Sequence, residues 1–180
     1  MPDFTEMDDA TLADLARTDS DAFAALYSRY LTPLYRYLYR KLGNPRDVED
    51  LTSQVFTELL EGLVGRRYRK QTSIPALLFT IAHHRTVDFY RKRPLEQLDD
   101  PPSPEPGLLA AVEKGEDMQR LASLLSRLDE DQQELLRLRF SAGLGFAEIA
   151  QVVGRSEAAV KMAVYRTIDQ LRDQWEVKNG

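Results

Sequence analysis

Apolar residues recur every three or four positions through most of this chain, and the stretches that break the rhythm are short and rich in proline, glycine or charge. That period is the mark of amphipathic helices, so the pattern predicts an all-α fold. Residues 1–19 are acidic, with one small helix expected around Leu12 and Leu15 after a frayed start. From Ser20, the positions Phe23, Tyr27, Tyr30, Leu31, Leu34 and Leu38 mark a long helix reaching Lys41, which tolerates Pro33 only with local adjustment. Gly43 is its expected stop, and Asn44-Pro45 reads as the N-cap and first residue of the next helix. That helix, Pro45 to about Val64, places Val48, Leu51, Val55, Leu59 and Leu63 on one face. A further helix opens at Ser73 or Ile74 and runs to about Lys92, burying Ile74, Leu77, Leu78, Ile81 and Phe89, with Phe79, His83 and Tyr90 on another face.

The rhythm fails over residues 94–117, where five prolines and seven acids predict an extended acidic linker. Beyond it, Leu121, Leu124, Leu125 and Leu128 make a short helix, and Asp129 or Asp131 caps another whose apolar side is Leu135, Leu136, Leu138 and Phe140. Gly143 and Gly145 end that helix. The chain thus divides into a domain at 1–93, a linker at 94–117 and a helical unit of about 60 residues at 118–180, within the size that folds alone. The last part of that unit, Phe146 to Trp175, carries small Ala150, then Gly154 where a sharp turn needs positive φ, then β-branched Val160. This is helix-turn-helix spacing. Ser156 caps the second helix, Val160, Val164, Ile168, Leu171 and Trp175 face inward, and Arg155, Glu157, Ala158, Lys161, Met162, Tyr165 and Arg166 face out.

Charge changes the picture. With 24 Lys and Arg against 29 Asp and Glu the net charge is −5, awkward for a protein that would hold DNA by itself through phosphate neutralisation. The absence of cysteine excludes a disulfide framework and thiolate metal sites. No export signal or membrane-length apolar run is read, so the expected location is the cytoplasm, without membrane insertion.

The charges are also segregated. Asp47, Asp50, Gln54, Glu58 and Glu61 stack along one face of the second long helix, either a solvated face or a docking stripe for a basic partner. From Arg66 to Arg93 there are eight Lys and Arg residues against the single acid Asp88. Arg66, Arg67, Arg69 and Lys70 surround Tyr68, and aromatic rings among cations suit single-stranded nucleic acid. His83, His84 and Asp88 superficially resemble a metal cluster, but adjacent histidines on a helix point about 100° apart, and only His84 and Asp88 share a face, as a local hydrogen-bonded pair.

Taken in order, DVEDLTSQVF at 47–56, SIPALLFTIAHHRTVDFYRKR at 73–93 and EIAQVVGRSEAAVKMAVYRTIDQLR at 148–172 resemble a bacterial RNA polymerase sigma factor of the extracytoplasmic-function group, which keeps only regions two and four. The resemblance implies a transcription initiation factor, not an enzyme, with no catalytic residue, metal or cofactor. It implies that Asp47, Asp50, Gln54, Glu58 and Glu61 dock on the clamp helices of the largest subunit of core RNA polymerase. Arg66, Arg67, Tyr68, Arg69, Lys70, His83, His84, Asp88 and Arg91 would read and hold open the minus-ten element as a melted strand. Arg155, Ser156, Glu157, Ala158, Lys161, Tyr165 and Arg166 would read the duplex minus-thirty-five element, and an anti-sigma factor is a further implied partner. Similar proteins commonly carry Trp and Asn where this chain has Leu77 and His84, so the class is kept but no minus-ten base preference is carried over from them. The rival readings are a stand-alone helix-turn-helix regulator and a metal-dependent hydrolase.

Overall fold

A computed structural model of the chain describes Phe4, residues 6–65, 73–92 and 115–176. Eight helices account for these residues, which include no strand. They are α1 (Asp9–Leu15), α2 (Ser20–Leu42), α3 (Pro45–Val64), α4 (Ile74–Lys92), α5 (Glu116–Ser126), α6 (Glu130–Leu136), α7 (Phe146–Val153) and α8 (Glu157–Glu176). The chain divides into two units, Met1–Pro102 and Ser103–Gly180. Most of the expected linker, residues 94–114, lies outside the described residues, as does the basic loop at 66–72. Its last two residues, Glu116 and Asp117, instead open α5.

In the first unit α2, α3 and α4 pack on one another, with α1 laid on α2. Gly43 closes α2 in the left-handed conformation at φ 69°, where a side chain would be strained. One residue later Asn44 caps α3, its Oδ1 accepting from the Arg46 and Asp47 amides at 2.9 and 3.4 Å. Two helices of 23 and 20 residues are therefore joined by a two-residue corner and forced side by side. The five apolar positions expected on α3 are all buried. α2 runs through Pro33 without a break, but the register of its first half differs from expectation. Ala22 and Leu26 are buried, while Phe23, Tyr30 and Leu31 are half-buried and Tyr27 is exposed. Phe23 and Tyr27 instead pack on Phe56 of α3, with ring centroids 6.5 and 4.4 Å apart, at the rim of the core. Phe79 is also corrected: it is fully buried and meets Tyr37 edge-on at 5.4 Å, while Phe89 is only half-buried.

In the second unit Asp129 caps α6 through a reciprocal box with Gln132, the Asp129 Oδ1 accepting from the Gln132 amide at 2.8 Å. The helix then widens into one π turn over Arg137–Ser141. The additional residue in this turn rotates the chain beyond it, and Phe140, expected on the apolar face, is 66 % exposed. Arg139 fastens the exit from the turn, donating to the Leu144 carbonyl at 2.8 Å and stacking over Phe146 at 4.8 Å. At the other end of the unit Arg120 of α5 stacks over Trp175 at 4.5 Å and donates to the Trp175 carbonyl, capping α8.

Candidate nucleic-acid interface

The helix-turn-helix is built as its spacing predicts. Gly154 takes φ 67° between α7 and α8, and Ser156 Oγ accepts from the Ala159 amide at 3.2 Å, fixing where α8 begins. Val160 and Val164 point into the unit at 0 and 1 % exposure, and Thr167 continues that line while Ile168, Leu171 and Trp175 are half-buried. With that side committed, Glu157, Ala158, Lys161, Met162, Tyr165 and Arg166 are all exposed, as expected. Tyr165 leans on Phe146 of α7, centroids 5.9 Å apart, and keeps half its surface open. Arg155 and Ser156 are exposed at the turn, but Arg155 is ion-paired at 2.7 Å with Asp131 of α6.

On α3 three of the five residues of the acidic stripe form an open surface. Asp50, Gln54 and Glu61 are exposed and Asp47 is half-buried in the first turn. Glu58 reaches across to α4, where Arg85 donates to its Oε2 from Nε at 2.8 Å and from the terminal nitrogen at 2.6 Å. Sequence reasoning placed no role on Arg85, and a signal for it was lacking: the partners lie 27 positions apart and meet only through the packing of α3 on α4.

Along α4, His84 is exposed, His83 is half-buried, and their rings stand 6.0 Å apart. The expected His84–Asp88 pair does not form. Asp88 binds Arg91, one turn on, at 3.0 Å. Among the described residues no group of three His, Asp or Glu is gathered as a metal would require, so the hydrolase reading has no site there. Tyr90 donates its hydroxyl to the Lys41 carbonyl at the end of α2, which fixes the last turns of α4 against α2. Arg66, Arg67, Tyr68, Arg69 and Lys70 lie outside the described residues.

Comparison with known proteins fits both units. Residues 26–94 match the family model for Sigma-70 region 2, and residues 118–171 match that for Sigma-70, region 4. The ECF RNA polymerase sigma factor ShbA of Streptomyces griseus is 31 % identical over 87 % of this chain and 87 % of its own length. The chain belongs to the ECF sigma factors. The ECF sigma factor BldN of Streptomyces coelicolor is 33 % identical over 85 % of this chain, which spans only 60 % of BldN. Among solved structures, CnrH in complex with the cytosolic domain of CnrY is 26 % identical, with a TM-score of 0.69 over 94 % of this chain and 97 % of that one. Sigma factors are initiation factors that direct RNA polymerase to promoters, and no enzymatic step is theirs. No described helix of this ECF sigma factor is long and apolar enough to cross a membrane.

Proposed function

We propose that this ECF sigma factor binds core RNA polymerase through the acidic face of α3, opens the minus-ten element with residues 66–93, and registers the enzyme on the minus-thirty-five element with α8. In this reading residues 1–93 are the region-two domain, 94–117 the linker and 118–180 the region-four domain. The observation that carries it is the exposed row of Glu157, Ala158, Lys161, Tyr165 and Arg166 on a helix whose opposite side is locked into its own unit. Such a row offers donors, a methyl and a ring to a major groove, with Lys161 and Arg166 available to phosphates.

The polymerase-facing part of the reading draws on Asp50, Gln54 and Glu61, whose polar ends are exposed while the same helix buries eight residues beneath them. The clamp helices of the largest polymerase subunit are the proposed partner. At the minus-ten element, His83, His84, Asp88 and Arg91 of α4 and the basic loop around Tyr68 would hold the melted strand. Losing base stacking costs a few kcal/mol per extruded base, which contacts to a protein pocket and its rings offset without ATP. CnrH was solved with the cytosolic domain of CnrY. A partner of that kind, an anti-sigma factor acting in the cytoplasm, is proposed here as well.

Purified protein should comigrate with core RNA polymerase on a sizing column and support run-off transcription from the promoter upstream of its own gene. Failure of both with active core enzyme would overturn the proposal.

A further inference from the structure

The Glu58–Arg85 pair joins the helix proposed to dock on polymerase to the helix proposed to hold the opened promoter. We propose that this pair is an electrostatic latch: in the free protein Glu58 neutralises Arg85, and a cationic side chain of the polymerase that takes Glu58 releases Arg85 to a phosphate of the melted strand. The inference rests on the sigma-factor reading of α3 and α4 given above.

The geometry leaves both partners capacity for exchange. Both contacts from Arg85 converge on one carboxylate oxygen, Oε2, at 2.8 and 2.6 Å. Among the described residues, Arg85 is the one hydrogen-bond and ion-pair partner of Glu58, and Glu58 is that of Arg85. Burial sets the strength in the range a switch needs. The side chains are 39 % and 35 % exposed for Arg85 and Glu58. A fully buried pair would not exchange partners, because either ion would be left uncompensated in a dry environment. A fully exposed pair would be screened and would mask nothing. Arg91 is the contrasting case on the same helix: its bond to Asp88 is local and Arg91 is 75 % exposed, so α3 has no hold on it.

A neutralised arginine releases no counterion on meeting a phosphate, and its carboxylate partner repels the strand. The free protein therefore lacks one cation on α4, which adds to the weak hold on DNA that its net charge of −5 implies. By linkage, DNA bound at Arg85 strengthens the polymerase contact at Glu58 by the same factor.

The test uses the full chain and a fluorescent single-stranded DNA oligonucleotide of mixed sequence, titrated over a range of salt. Glu58→Gln should bind about two- to fivefold more tightly than wild type, the scale of one partly exposed ion pair. Its log–log salt slope should steepen by about 0.7, one phosphate on a single strand. Placing Arg85→Gln in the same chain should abolish that gain, and Glu61→Gln, which removes the same charge from an exposed position of α3 with no tie to Arg85, should show none of it; an equal gain for Glu61→Gln would assign the effect to general charge and overturn the latch. No gain for Glu58→Gln overturns the latch, as does a gain that survives in the double variant. Core polymerase binding by wild type is measured alongside. If that binding is absent, the sigma-factor reading fails; if it is present and Glu58→Gln shows no gain, only the latch fails.

Discussion

Phe79 and Arg137 show how single side chains divide between holding the fold and serving the surface. The Phe79 ring has no exposed surface and meets Tyr37 edge-on, so it supports α4 from below and offers nothing to a base. Phe79→Ala is expected to destabilise the first unit by about 3–5 kcal/mol, the range for a buried aromatic cut to alanine. Chemical unfolding followed by circular dichroism reads this, and a stable variant with weakened DNA binding would instead make Phe79 a DNA contact. Arg137 sits between Glu130 at 2.9 Å and Glu134 at 3.2 Å. Burial alone would lower its pKa, but the hydrogen bonds and charges of Glu130 and Glu134 outweigh burial and raise it, so the guanidinium stays charged. The Glu134 side chain is 6 % exposed and that of Glu130 is 70 % exposed. Arg137→Ala removes the cation that faces a buried carboxylate and should cost about 2–3 kcal/mol, the range for a hydrogen bond to a charged group, whereas Glu130→Ala should cost under about 1 kcal/mol. Trp175, the only tryptophan in the chain, reports on this unit by fluorescence during urea unfolding.

Among the elements, the helix-turn-helix depends on its corner. Gly154 has open space where a Cβ would stand, so any cost of a side chain there comes from φ 67° and not from a clash. Gly154→Ala should lower the stability of the second unit by about 1–2 kcal/mol, and Gly154→Asn by less, because asparagine visits the left-handed region more readily. Thermal melts of the two variants provide the comparison, and equal melting temperatures for all three proteins would remove the corner from the explanation. This corner was readable in advance, as were both ends of α3: glycine, asparagine, proline and serine act through the backbone of their own neighbours. The first half of α2 was not. Ala22-Phe23 and Leu26-Tyr27 offer adjacent apolar residues, and a period of 3.6 accepts either member of each pair. The packing partner decided, with α3 offering Phe56 at the rim and leaving Ala22 and Leu26 for the interior. Phe140 failed for a different reason, since one π turn shifts the phase of every residue after it.

For the whole molecule, the separation of charge matters more than its sum. Exposed acids on α3 and exposed donors on α8 belong to different units of a chain that is negative overall. Reversing Asp50 and Glu61 to lysine, both exposed and neither tied to Arg85, should weaken core polymerase binding about tenfold or more through like-charge contact. A competition assay with wild type measures this, and unchanged affinity would assign α3's outer face to solvent. The sequence by itself determined the helices, the corners at Gly43-Asn44 and Gly154, the Ser156 cap, the helix-turn-helix and its outward row, because periodicity and capping are local and three ordered motifs together specify a family. Tertiary structure alone decided that Glu58 belongs to Arg85, that Arg155 belongs to Asp131, and that Phe79 is core. Each of those depends on which faces of two helices meet, and a pairing across 24 or 27 residues leaves no trace in the spacing of either partner.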